Sequence, residues 1–122
     1  MIQKSLLFSL FAFLLFSCGQ STPVLEGIDT ELWKSDKYGC LQQRIQFITP
    51  ITNQKDKLKS LTEDDVIDLL GRPDQNELYS RNQKFYRYFL EPGPSCKNAV
   101  ANPKRLIVRF NAIGLAKEVS VE

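Results

Sequence analysis

The chain has 122 residues, with 16 Lys+Arg against 14 Asp+Glu and no histidine. That length suits one domain, and a net charge of +2, mixed along the chain, argues against the clustered basic face that nucleic acid requires. The missing histidine removes the commonest neutral-pH acid–base group and the commonest metal ligand.

The first element is apolar. In "MIQKSLLFSLFAFLLFSC", Lys4 supplies a positive start and Ser5 to Phe16 an almost unbroken Leu/Phe-rich run. Spanning a bilayer takes ~20 residues, whereas a signal-peptide core takes ~7–15. The run fits the second. Its end, Leu15-Phe16-Ser17-Cys18, resembles a bacterial lipobox: an aliphatic residue, a variable one, a small one, then cysteine. That resemblance implies a diacylglycerol on the Cys18 thiol, cleavage before Cys18 and acylation of the new amino group. Two or more acyl chains, at ~0.8 kcal/mol per buried methylene, anchor a protein stably. The expected organisation is a leader over 1–17, a lipidated N-terminus and tether over 18–28, and one domain over 29–122. Gln20 is not an acidic retention signal, which favours the outer membrane, facing the periplasm.

Three cysteines are present, Cys18, Cys40 and Cys96. Assigning Cys18 to lipid leaves an even pair in an oxidising compartment. A Cys40–Cys96 disulfide is one reading; two separate buried thiols are the other. Two cysteines without histidine make a poor zinc set, so no metal or other cofactor is expected.

"GQSTPVLEG" reads as a tether. In "DTELWKSDKYGC", Asp29 or Thr30 can cap a short helix, Trp33 reads as a packing residue, and Gly39 breaks the element. "LQQRIQFITPITNQKDKLKS" carries Leu41, Ile45 and Ile48 at spacings of four and three, the apolar face of a helix. Pro50 should end or kink it near Ile48.

"LTEDDVIDLLGRPD" carries the strongest local signal. Thr62 stands at an N-cap with Asp65 as its reciprocal partner, and Leu61 and Val66 form a hydrophobic staple. Glu63, Asp64 and Asp65 face the positive end of the helix dipole. Capping accounts for these acids without a metal or catalytic role. Val66, Ile67, Leu69 and Leu70 make the buried face, and Gly71 and Pro73 stop the helix.

From Asp74 the period becomes two. "NELYS" reads as a strand, "RNQK" as a turn and "KFYRYFLEPG" as an aromatic strand. Phe85, Arg87 and Phe89 share one face; Tyr86, Tyr88 and Leu90 share the other. One row is buried and one open, and the pattern leaves open which. Phe85, Tyr86 and Tyr88 are the candidate contact residues. "EPGPSCKNAVANPK" is a long loop for the bridge to clamp. "RLIVRF" and "LAKEVSVE" form a hairpin around Gly114. Leu106, Val108 and Phe110 face Val119 and Val121 across it. The expected fold is α+β, two N-terminal helical segments packed on a three- to four-stranded antiparallel sheet.

"LKSLTEDDVIDLLGRPD", "FYRYFL" and "RLIVRFNAIGLAKEVSVE" together resemble the SmpA/OmlA (BamE-like) domain of small bacterial outer-membrane lipoproteins, of a Bacteroidetes type. The residues carrying the resemblance are Leu61, Thr62, Val66, Leu70, Gly71, Pro73, Tyr86, Tyr88, Phe110 and Gly114. It implies a helical pair on an antiparallel sheet and a non-enzymatic accessory role beside a β-barrel assembly complex.

The function expected is a lipid-anchored envelope interaction module, attached to the membrane by its N-terminal lipid and bound to an envelope protein. Neither nucleic acid nor a small-molecule substrate is expected as partner. A binder that inhibits or regulates a periplasmic or secreted enzyme is the alternative. Catalysis is disfavoured because no histidine, and no cysteine free of another assignment, is available as base or nucleophile, so no catalytic residue is assigned.

Overall fold

The computed structural model describes residues 22–122. The leader and Cys18 lie outside the described residues. Short helices come first and a four-stranded antiparallel sheet comes after them, making the fold α+β. No helix among the described residues is long and apolar enough to cross a membrane.

Helix α1 spans Thr30–Ser35, and Asp29 is its cap. The Asp29 Oδ1 accepts from the Glu31 and Leu32 amides at 3.1 and 3.2 Å, satisfying two of the donors a helix start leaves free. Trp33, completely buried, is its anchor in the core.

Helix α2 covers Ile48–Gln54 and is entered through a 3-10 turn, Arg44–Phe47. Here the expected buried face is not the observed one. Leu41 and Ile45 are 63% and 41% exposed, while Arg44, Phe47 and Ile51 are buried. The buried face is rotated because a charged residue occupies it, which an apolar periodicity cannot register. The helical stretch does break near Ile48, as expected: the 3-10 turn ends at Phe47, whose φ −98° and ψ 1° are not helical, and a new α-helix begins at Ile48; Pro50 sits past that break. It lies in the first turn of that helix, where a missing N–H costs nothing.

Helix α3, Glu63–Leu70, has the expected capping box. The Asp65 amide donates to Thr62 Oγ1 at 3.1 Å, and the Thr62 amide to Asp65 Oδ2 at 3.2 Å. Leu61, Val66 and Leu70 are buried in the core, and Ile67 and Leu69 pack at its margin. Gly71 ends the helix at φ +78°, ψ 179°, a conformation open essentially to glycine alone.

Strands β1 (Gln75–Tyr79), β2 (Gln83–Phe89), β3 (Arg105–Phe110) and β4 (Ala116–Val121) pair in chain order. Tyr86 lies opposite Val108 and Val108 opposite Val119; Tyr88 lies opposite Leu106 and Leu106 opposite Val121. This row faces the helices. Leu106, Val108 and Phe110 are completely buried, each contributing about 1.5–3 kcal/mol. The opposite face carries Phe85, Arg87, Ile107, Arg109, Glu118 and Ser120.

The segment read as tether over 18–28 is partly core. Leu25 and Ile28 are buried. The Glu26 amide donates to Gln54 Oε1 at 2.7 Å, and Gln54 Nε2 returns a bond to the Glu26 carbonyl at 2.6 Å. The folded unit therefore begins before Asp29. Two apolar residues set among Pro, Gly and polar neighbours have no periodicity by which to declare themselves.

Candidate functional site

Cys40 and Cys96 are bonded, with Cα atoms 5.3 Å apart and a sequence separation of 56. The bridge fixes the 91–104 loop to the turn after α1. The Gly93 amide donates to the Tyr38 carbonyl at 2.9 Å, and Asn98 Nδ2 to the Cys40 carbonyl at 3.1 Å. Gly39 lets the two segments meet. Its φ is +69°, and a Cβ there would stand 2.6 Å from the Glu91 carbonyl oxygen.

Beneath the bridge lies a charged cluster that sequence reasoning missed. Arg44 Nη1 meets Asp74 Oδ2 at 2.6 Å, with both side chains almost wholly buried. Arg44 Nε also donates to the Trp33 carbonyl at 2.9 Å, and Nη1 to the Phe89 carbonyl at 3.1 Å. Its guanidinium lies 5.1 Å from the Trp33 ring and 5.8 Å from the Tyr88 ring, within cation–π range. Asp74 accepts further from the Tyr38 and Phe89 amides at 3.0 and 2.8 Å. Asp36, also buried, accepts from the Leu41, Gln43 and Arg44 amides at 2.7, 2.8 and 3.0 Å. So many partners make the desolvation of these charges tolerable. The cluster is a structural joint tying α1, the 38–44 turn and β2 together.

Of the three proposed contact residues, only Phe85 faces outward. Tyr86 and Tyr88 are buried, which corrects their reading as surface. The reason is their hydroxyl groups. Tyr86 donates to Glu63 Oε1 at 2.9 Å, and Tyr88 to the Gly71 carbonyl at 2.8 Å. Strand β2 thus holds α3 at both ends. Burial raises both phenols above the ordinary tyrosine range; the Glu63 carboxylate adds to the shift at Tyr86, and Tyr86 adds to it at Tyr88. Glu63 also takes Lys84 Nζ at 3.1 Å. Capping therefore explains Asp65 but not Glu63, which links helix to sheet.

The open sheet face is built from the alternate residues of the same strands. The Tyr79 and Phe85 rings meet edge to face at 4.9 Å. The Arg87 guanidinium covers Phe85 at 5.5 Å and pairs with Glu77. Arg109 Nη2 meets Glu118 Oε1 at 3.0 Å and holds that carboxylate below its ordinary range by hydrogen bond and charge. A shallow groove of about 210 Å³ runs over this face. It continues past Arg105 into a cleft of about 660 Å³ walled by Phe89, Pro94, Val100 and Pro103 of the clamped loop. The arginines are held in place by carboxylates and an aromatic ring, and apolar patches lie between them. That chemistry suits adhesion to another surface.

No family model, curated protein or solved structure matches the chain. The site therefore stands on its own geometry. Sequence alternation identifies Phe85 as a surface residue once the hydroxyl partners of Tyr86 and Tyr88 are known. Ile107 and Arg109 were equally open to it, as the off-register residues of "RLIVRF".

Proposed function

We propose that this chain is a lipid-anchored, non-enzymatic interaction module of the bacterial cell envelope, held at the outer membrane through Cys18 and bound to an envelope protein. The cysteine count carries the reading. Three cysteines are present, and Cys40 and Cys96 are joined, so Cys18 is the one outside the bridge. A disulfide belongs to an exported protein, and Cys18 ends an apolar run of leader length. The contact surface is the open sheet face with Phe85, Arg87, Ile107 and Arg109, extended by the clamped loop. The order of motifs from Leu61 to Gly114 supports kinship with the SmpA/OmlA lipoproteins and hence an accessory role in outer-membrane protein assembly.

Cys18→Ser tests the anchor. Fractionated cells should show the variant released from the membrane, with its leader uncleaved or cut elsewhere. Equal membrane attachment of variant and wild type would overturn the reading. Photo-crosslinking from position 107 in intact envelopes tests the surface: a single recurrent envelope protein is expected, and its absence counts against an interaction role.

A further inference from the structure

The burial of Leu25 shortens the tether. Only residues 19–24 stand between Cys18 and the folded unit. Seven Cα steps at ~3.5 Å reach about 25 Å at full stretch. A folded unit of ~100 residues has a radius of gyration near 13 Å and is roughly 30 Å or more across. With Cys18 acylated, the side on which the chain emerges therefore stays turned toward the bilayer.

That side is well defined. The paired bonds between Glu26 and Gln54 fix the emerging chain to the end of α2. Lys57 Nζ donates to the Val24 carbonyl at 3.2 Å and to Gln54 Oε1 at 3.1 Å. Lys57 belongs to a 3-10 turn, Lys55–Leu58, that follows α2 directly. The turn lies along the β4 edge of the sheet. Lys55 Nζ donates to the Val119 carbonyl at 3.4 Å, and the Ser60 amide to the Ala116 carbonyl at 2.8 Å. Strand β1 is at the other edge, three strand spacings or ~14 Å away.

The exit side is also basic. "KDKLK" sets Lys55, Lys57 and Lys59 around Asp56, with the buried Leu58 holding the turn to the core. Lys117, exposed, follows Ala116 at the same edge. Two carboxylates oppose these four lysines, Glu26 and Asp56. Asp56 meets Lys59 at 3.3 Å in an exposed pair, which holds little. Glu118 is cancelled by Arg109 on the open sheet face. Lys55 and Lys57 keep donors to spare, since an ammonium has three. Val24, 79% exposed, puts an apolar residue at the point of exit.

We propose that Lys55, Lys57, Lys59 and Lys117 form a docking surface for the anionic phospholipid headgroups of the membrane that holds Cys18. The domain stands on its β4 edge and turns β1 away from the bilayer. Each basic residue near an anionic surface favours contact by roughly 5-fold, so a net two charges give about 25-fold. The tether supplies the high local concentration that so weak a contact needs. The inference rests on the anchor proposed above and adds the lipid surface as a second partner.

The test places the purified lipoprotein in nanodiscs of phosphatidylethanolamine and phosphatidylglycerol, doped with a lipid whose headgroup carries chelated gadolinium. Relaxation enhancement at the amides of 54–59 and 117 should exceed that at 75–79 several-fold. Lys→Gln at 55, 57, 59 and 117 together should cut that ratio by at least half, and Lys→Arg at the same positions should preserve it. Salt at ~1 M, where the screening length is ~3 Å, should act like the glutamine variant, and so should nanodiscs of phosphatidylcholine alone. The salt and phosphatidylcholine arms use the wild-type chain, so they decide the matter even if the glutamine variant unfolds. Equal enhancement at 57 and 77 would overturn the proposal. So would a gradient that salt and phosphatidylcholine leave unchanged, since the tether alone would then set it. Protein that the nanodiscs fail to retain overturns the anchor and this inference together; protein retained without the gradient overturns this inference alone.

Discussion

Two neighbouring regions of the molecule, the bridged loops and strand β1, are built on different principles. Around the Cys40–Cys96 bridge, the turn after α1, the 91–104 loop and the start of β1 are fastened by a covalent bond, a buried ion pair and several backbone hydrogen bonds. Past Asp74, β1 is held only to β2, by its ladder, the Glu77–Arg87 ion pair and the Tyr79–Phe85 ring contact, and buries no residue. The first region is over-determined and the second barely determined. Rigidity is concentrated where the chain lacks regular structure, and availability where the structure is most regular.

Substitutions on the two sides should therefore differ widely in cost. Arg44→Ala leaves Asp74 buried without its cation, a loss of about 3–5 kcal/mol; urea unfolding measures it, and a change under about 1 kcal/mol would contradict the role given to the cluster. Cys40→Ser with Cys96→Ser removes a closure of 56 residues and should cost about 2–4 kcal/mol. Hydrogen exchange should then rise across the 91–104 loop and stay unchanged in β1. Tyr88→Phe loses the bond to the Gly71 carbonyl, worth about 1 kcal/mol. It also alters the pH profile. The folded phenol of Tyr88 is raised above its ordinary 10.0 by burial, so its contribution is complete below that value and is lost as pH rises beyond it, when the unfolded chain ionises first. Wild type should weaken in strong alkali, and Tyr88→Phe should weaken less steeply. Leu78→Lys, on the undetermined side, should shift stability by less than about 0.5 kcal/mol.

How much of this can be read without coordinates varies from one element to the next. Helix α3 is legible because its signals are local: Thr62 and Asp65 close a box three residues apart, and Gly71 takes the positive φ that stops the helix. The β3–β4 hairpin is legible because Leu106, Val108 and Phe110 alternate cleanly with Arg105, Ile107 and Arg109. The segment from Leu41 to Ile51 is misread because its buried face includes Arg44, whose partner Asp74 lies thirty residues away. No pattern within a helix announces such a pair. The face of β2 is ambiguous because both rows are aromatic; the hydroxyl bonds to Glu63 and Gly71 decide it, and those depend on where α3 lands. Phe85 is the part of the candidate surface that survives from the sequence. Arg87 shares its face by alternation within the same strand, and the β2–β3 register sets Ile107 and Arg109 beside it.

Mass spectrometry of the protein purified from its native cells under non-reducing conditions is the decisive measurement for the proposed anchor and for the Cys40–Cys96 bridge. The chain should begin at Cys18, carry fatty acyl groups on that residue, and yield Cys40 and Cys96 in one linked peptide pair. A chain that retains the leader, or one whose Cys18 is an unmodified thiol, would contradict the proposed anchor.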